Sequence, residues 1–133
     1  MEHKVLLQES CEKMGVTLTE EMVSQFMTYL SLLLEWNEKM NLTAITDKKD
    51  VVQKHFVDGL SILPHLSLTG QEKIIDVGTG AGFPGIPVKI ACPHVEMTLL
   101  DSLQKRIGFL EEVGSQLGLS GVHYVHSRAE DGG

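Results

Sequence analysis

The chain has 133 residues, 42% of them hydrophobic, and a formal net charge of −7. That size and apolar content suit one globular domain with its own core, and no apolar run is long enough to span a membrane. The acidic balance is the wrong sign for a free-standing nucleic-acid binder, because phosphate contacts need Lys and Arg. Cys11 and Cys92 are too few and too far apart for a disulfide framework. With the mixed-charge opening Met1-Glu2-His3-Lys4, which lacks the apolar stretch of a secretory signal, they point to a reducing, cytoplasmic setting.

Residues 1–70 read as a helical subdomain. Met1 to about Met14 forms a short amphipathic helix closed by Gly15. Thr17 or Thr19 then caps a longer one, with Glu20 and Glu21 favourably placed in its first turn. Val23, Phe26, Met27, Leu30, Leu33 and Leu34 recur at helical spacing, a stripe that reads as core packing extended by Trp36 and Met40. Asp50 to about Leu63 reads as a further helix stopped at Pro64. Within it His55 and Asp58 are one turn apart and read as a local hydrogen-bonded pair rather than an acid/base couple. Lys48, Lys49 and Lys54 cluster at that helix start, but residues 1–72 hold 6 basic and 11 acidic side chains. This region is therefore not a basic arm, and the cluster reads as a solvated face.

The second region, 71–133, opens with the most informative stretch, Ile74-Ile75-Asp76-Val77-Gly78-Thr79-Gly80-Ala81-Gly82-Phe83-Pro84-Gly85. A β-branched run into an acid, glycine at every second place and a resumed apolar pattern describe a buried strand, a tight turn and a helix. In open α/β sheets such a turn is where nucleotide-like ligands sit. Gly80-Ala81-Gly82-Phe83-Pro84-Gly85 matches the dinucleotide pattern G-x-G-x-x-G. A pyrophosphate, however, needs free backbone N–H groups; Pro84 removes one, and the Asp76 carboxylate would repel phosphate. S-adenosylmethionine carries an ammonium and a sulfonium and no phosphate. The spacing Asp76-x-Gly78-x-Gly80-x-Gly82 therefore favours it, with a nicotinamide dinucleotide as the competing ligand.

Val95 to Asp101 reads as a second strand ending in an acid about 20 residues past the loop, where ribose hydroxyls are bound in either case. Ser102 is expected to cap a helix with Leu103, Ile107, Leu110 and Val113 on one face and Gly118 as its stop. Val122-His123-Tyr124-Val125-His126 reads as a third strand, whose end would grip an adenine ring. His123 and His126 have no Cys or acid at ligand spacing, so no metal site is expected. Lys105 and Arg106 form a second small basic pair.

Asn41-Leu42-Thr43-Ala44, His55-Phe56-Val57-Asp58, Asp76 through Pro87, Leu100-Asp101-Ser102 with Lys105-Arg106, and Ser127-Arg128-Ala129-Glu130 occur in that order along the chain. Together they resemble the bacterial small-subunit ribosomal RNA methyltransferases also called glucose-inhibited division protein B, over nearly the whole chain. The resemblance implies an α/β fold of the Rossmann-like, class I S-adenosylmethionine-dependent methyltransferase type, with an N-terminal helical region and a sheet that here stops after the third strand. It implies methyl transfer from S-adenosylmethionine to guanine N7 of 16S ribosomal RNA, on the RNA or the small ribosomal subunit. It places Gly78, Phe83, Ala129 and Glu130 at cofactor-contacting positions, with Asp101 at the ribose and Asp76 and Gly80 in the same loop. Gly59 departs from the family, which has Ser there. Family members also continue through a further Ser-Arg-Ala strand end that finds no match, so the chain is expected to be an N-terminal portion.

N7 bears a lone pair, so attack on a sulfonium methyl needs orientation rather than a general base, and no catalytic residue is assigned. A first strand without a fourth-strand neighbour would leave an open edge. Marginal stability, or self-association through that edge, is therefore expected. The competing functional readings are a nicotinamide-dependent oxidoreductase domain and a binding module without catalysis.

Overall fold

The computed structural model describes residues 2–66, 68–69 and 71–127. The chain runs α1 (Glu2–Lys13), α2 (Glu20–Asn37), α3 (Lys48–Val51), a π-helical segment (Val52–Val57), α4 (Asp58–Leu60), a 3-10 turn (Leu63–His65), β1 (Lys73–Val77), α5 (Gly85–Ala91), β2 (Glu96–Asp101), α6 (Gln104–Leu117) and β3 (Val122–His126). Three parallel strands with helical crossovers make this an α/β fold, as the sequence leads one to expect. Among the described residues, no helix is long and apolar enough to cross a membrane.

The helix ends follow local chemistry. Thr19 sits in extended backbone and its hydroxyl accepts from the Met22 N–H, which starts α2. Gly118 takes the left-handed conformation that ends α6. Three ends differ from expectation. The third helical stretch begins at Lys48 rather than Asp50, because the Asp47 carboxylate caps it by accepting from the Asp50 N–H. It ends at Leu60, and Pro64 lies inside the following 3-10 turn rather than stopping the helix. Ser102 does not cap α6: Asp101 Oδ1 accepts from the Leu103 N–H at 3.0 Å and turns the chain there.

The strands pair in chain order, β1-β2-β3, with Asp76 opposite Leu99 and Leu99 opposite Tyr124. Alternation then sets Ile74, Asp76, Met97, Leu99 and Asp101 on one face. Helices α5 and α6 pack on β2 across this face, and α2 packs on both of them. One core joins the helical stripe to the sheet: Phe26, Tyr29, Leu33, Phe56, Ile86, Met97, Leu99, Phe109 and Leu110 are all buried in it. Trp36 extends it, its ring 5.6 Å from that of Phe109. Lys89 is buried too, its ammonium donating to the carbonyls of Pro93 (2.7 Å) and Val95 (2.6 Å) and so holding the turn between α5 and β2. Burial lowers its pKa, against the field of Glu96.

Among the described residues the other sheet face is bare. Ile75 and Val77 are 64% and 63% exposed, and Val125, in the row of Val77 and Leu100, is 36% exposed. Among the described residues β1 pairs with β2 and is otherwise an open edge.

Candidate functional site

The site forms where β1 and β2 end and the glycine loop crosses between them. Gly78, Gly80 and Gly82 all have positive φ, and the Phe83–Pro84 peptide is cis. A Cβ added at Gly78 or Gly80 would meet no atom within 4 Å, so their backbone faces open space that a ligand can approach. Gly85 has the opposite role. A Cβ there would lie 2.5 Å from Leu99 Cδ2 and 2.8 Å from Asp76 Oδ2, so its absence lets α5 start directly against the sheet.

Asp76 and Asp101 organise the loop. Asp76 Oδ2 accepts from the Thr79 hydroxyl at 2.7 Å and from the Gly85 N–H at 2.9 Å. Burial raises its carboxyl pKa, the two hydrogen bonds oppose that, and the charge of Asp101 adds to it. Asp101 is buried, with Oδ2 accepting from the Gly80 N–H at 2.8 Å and Oδ1 facing the Arg106 guanidinium at 3.4 Å. Arg106 thus belongs to the site and not to a free basic pair with Lys105.

Six of the seven N–H groups from Gly78 to Gly85 are spent internally. The N–H groups of Gly78 and Thr79 donate to Leu100 O, those of Gly82 and Phe83 to Thr79 O, that of Gly80 to Asp101 and that of Gly85 to Asp76. No fan of free N–H groups is left for a pyrophosphate, and two carboxylates stand where one would bind.

The helical region holds the loop from behind. The Tyr29 hydroxyl donates to Ala81 O, and its ring stacks on Phe56 at 5.2 Å. Burial raises the Tyr29 pKa well above the usual phenol value, and the charge of Asp76 adds to this. His55 lies flat on Phe83, with ring centroids 4.2 Å apart and planes within 8°. Its Nε2 is 2.8 Å from the Thr43 hydroxyl, which also accepts from the Ile45 N–H. Asn37 Oδ1 braces this turn by accepting from the Leu42 and Thr43 N–H groups. The expected His55–Asp58 hydrogen bond is not formed. The segment is π-helical, and the imidazole turns to Thr43, leaving the two residues coupled by charge alone.

With this geometry in place, the match to known proteins is specific. Residues 22–132 fit the family rRNA small subunit methyltransferase G. The chain belongs to that family. Two relatives carrying the name ribosomal RNA small subunit methyltransferase G, from Alkaliphilus metalliredigens (strain QYMF) and Alkaliphilus oremlandii (strain OhILAs), are 52% and 53% identical over 100% and 98% of this chain. A third of the same name, from Clostridium perfringens (strain 13 / Type A), is 49% identical over 99%. The chain spans 55–56% of the length of these relatives.

Of the residues singled out in the sequence, Asp76, Gly78, Gly80, Phe83 and Asp101 come together at the strand ends. Ala129 and Glu130 lie outside the described residues. A Cβ at Gly59 would stand 3.5 Å from the Pro87 ring, an ordinary contact, so this position has room for a Cβ. Sequence reasoning missed Tyr29, Thr43 and Arg106 as parts of the site. For Tyr29 a signal was present: a phenol in a buried stripe must find a partner for its hydroxyl. His123 and His126 sit apart, 3.3 Å from Glu96 and 3.0 Å from Ser102 O respectively.

Proposed function

We propose that the glycine loop binds S-adenosylmethionine and that the chain is the cofactor-binding part of an enzyme that methylates guanine N7 in 16S ribosomal RNA of the small subunit. The observation that carries this reading is the internal use of the loop's N–H groups beside two carboxylates, a chemistry suited to a cationic ligand and hostile to a diphosphate. The family name of the relatives supports rRNA as the substrate.

Asp76 would face the cationic end of the cofactor, Gly78 and Gly80 would allow close backbone approach, and Asp101 would hold the ribose hydroxyls. For that last role Asp101, whose Oδ2 accepts from the Gly80 N–H, would offer its carboxylate to the ribose as well. Phe83, backed by His55 and Tyr29, would contact the cofactor at the loop tip. The cofactor supplies an electrophilic methyl group. The protein's part is orientation and exclusion of water, since N7 needs no deprotonation. Ala129 and Glu130, which the family resemblance gives as cofactor-contacting positions, complete the reading.

Calorimetry tests the reading: S-adenosylmethionine and its demethylated product should bind and NADH should not. Heat from NADH and none from either sulfur compound would reverse the assignment. Methyl incorporation into 30S particles then distinguishes an active chain from a binding module.

A further inference from the structure

Tyr29 belongs to α2, yet its hydroxyl holds the tip of the glycine loop. It donates to Ala81 O, which accepts from no other group among the described residues. Burial keeps the phenol protonated, so the donor is always present. Its ring is fixed by two others, stacked on Phe56 at 5.2 Å and tilted against Phe83 at 5.6 Å. The same hydroxyl accounts for one of the loop glycines. A Cβ at Gly82 would lie 2.6 Å from it, whereas one at Gly78 or Gly80 would meet nothing within 4 Å. The loop therefore has a packed side, set by Tyr29 at Ala81 and Gly82, and an open side at Gly78 and Gly80. Between Gly78 and Gly85, Ala81 carries the one N–H that has no acceptor among the described residues. Ala81 is only 4% exposed, and a buried N–H without a partner is costly, so this donor suits a ligand.

We propose that Tyr29 is a positioning residue for the cofactor: by fixing the Ala81 carbonyl it holds the unspent Ala81 N–H in place for the carboxylate of S-adenosylmethionine. This rests on the cofactor reading given above and adds a second point of recognition to it. The amino-acid end of S-adenosylmethionine is a zwitterion, an ammonium beside a carboxylate. Asp76 matches the ammonium. The carboxylate can only accept, so next to Asp76 and Asp101 it needs a donor. Arg106 already faces Asp101, which leaves the Ala81 N–H as the loop's own free donor. The N–H and the carbonyl of Ala81 are related through its φ and ψ alone. Its neighbours Gly80 and Gly82 restrain the chain weakly, so without the hydroxyl the Ala81 backbone is free to turn. Tyr29 lies behind the loop and acts only through Ala81.

Calorimetry on the 133-residue chain tests this with S-adenosylmethionine and decarboxylated S-adenosylmethionine, which keeps the sulfonium and the amine and lacks the carboxylate. Tyr29→Phe keeps the ring and deletes only the hydroxyl. The variant should lose about tenfold in affinity for S-adenosylmethionine, the low end for a hydrogen bond to a charged group. Its affinity for the decarboxylated compound should be unchanged. Equal losses for the two compounds would make Tyr29 a packing residue and overturn the proposal, and so would no loss for either. A second measurement needs no variant to fold. In the wild type the Ala81 amide proton should move downfield with S-adenosylmethionine and stay in place with the decarboxylated compound. A resonance that responds alike to both would refute the contact. No heat from either compound with the wild type would sink the cofactor reading itself, whereas binding with equal losses in Tyr29→Phe would sink only the role of Tyr29.

Discussion

His55 and Phe83 face each other with their ring planes within 8°, and this contact ties the helical region to the tip of the glycine loop. Behind His55 are Thr43 and the turn braced by Asn37, so a loop after β1 is positioned by residues of α2 and the following turn.

Protonating this imidazole should weaken the fold. His55 has a pKa below the ordinary 6.5 because burial outweighs the pull of Asp58. Below pH 6.5 the unfolded chain takes up a proton that the folded chain resists. Its contribution is therefore full above 6.5, falls as the pH drops toward the folded value and then levels. Urea midpoints at pH 7.5 and 5.5 should differ more for the wild type than for His55→Phe, which keeps the stack but cannot titrate. Equal pH dependence in the two proteins would remove His55 from the account.

Asp76 should separate stability from binding. Its raised pKa means that ionisation costs the folded state: the contribution is present below the unfolded value and is lost as pH rises through the folded one. An amide oxygen can still accept from Thr79 and Gly85. Asp76→Asn should therefore leave the unfolding midpoint at pH 7 no lower than the wild type. S-adenosylmethionine affinity should fall at least about tenfold, a charged hydrogen bond being worth ~1.5–3 kcal/mol. Lower stability with unchanged affinity would make Asp76 a loop clamp and nothing more.

Two glycines should respond in opposite directions to alanine. At Gly85 the new methyl would collide with Leu99 and Asp76, and the overpacking should cost about 1–3 kcal/mol. At Gly108, within α6, it would meet nothing within 4 Å and should stabilise by roughly 0.5–1 kcal/mol. Denaturant melts of both variants decide this, and a mild Gly85→Ala would show that α5 can lift from the sheet without cost.

The open edge of β1 and the bare Ile75 and Val77 should drive self-association. Light scattering across a concentration series should show growing mass for the wild type and a monomer for Ile75→Lys with Val77→Thr. Both side chains are already in solvent, so the substitutions should shift the melting temperature little. A wild-type monomer at every concentration would refute this.

The strands, the loop and the acids at β1 and β2 were legible in the sequence because alternation, glycine spacing and strand-end acids are local signals. The π-helical segment left no such mark: an i to i+5 hydrogen-bond pattern has no side-chain period that five or six residues can display. The Tyr29–Ala81 contact joins positions 52 apart and needs the folded core to exist. At Asp101 and Ser102, two neighbouring side chains were each able to turn the chain into α6. Asp101 does so because its carboxylate is already held between the Gly80 N–H and Arg106.

The sequential order of the sheet bears on how the chain is made. Each strand pairs with the one synthesised before it, β2 on β1 and β3 on β2, and every crossover between them is short. Among the described strands, β2 and β3 each meet a partner that has already been synthesised. Assembly can proceed vectorially, with α2 already formed as the surface on which α5 and then α6 settle.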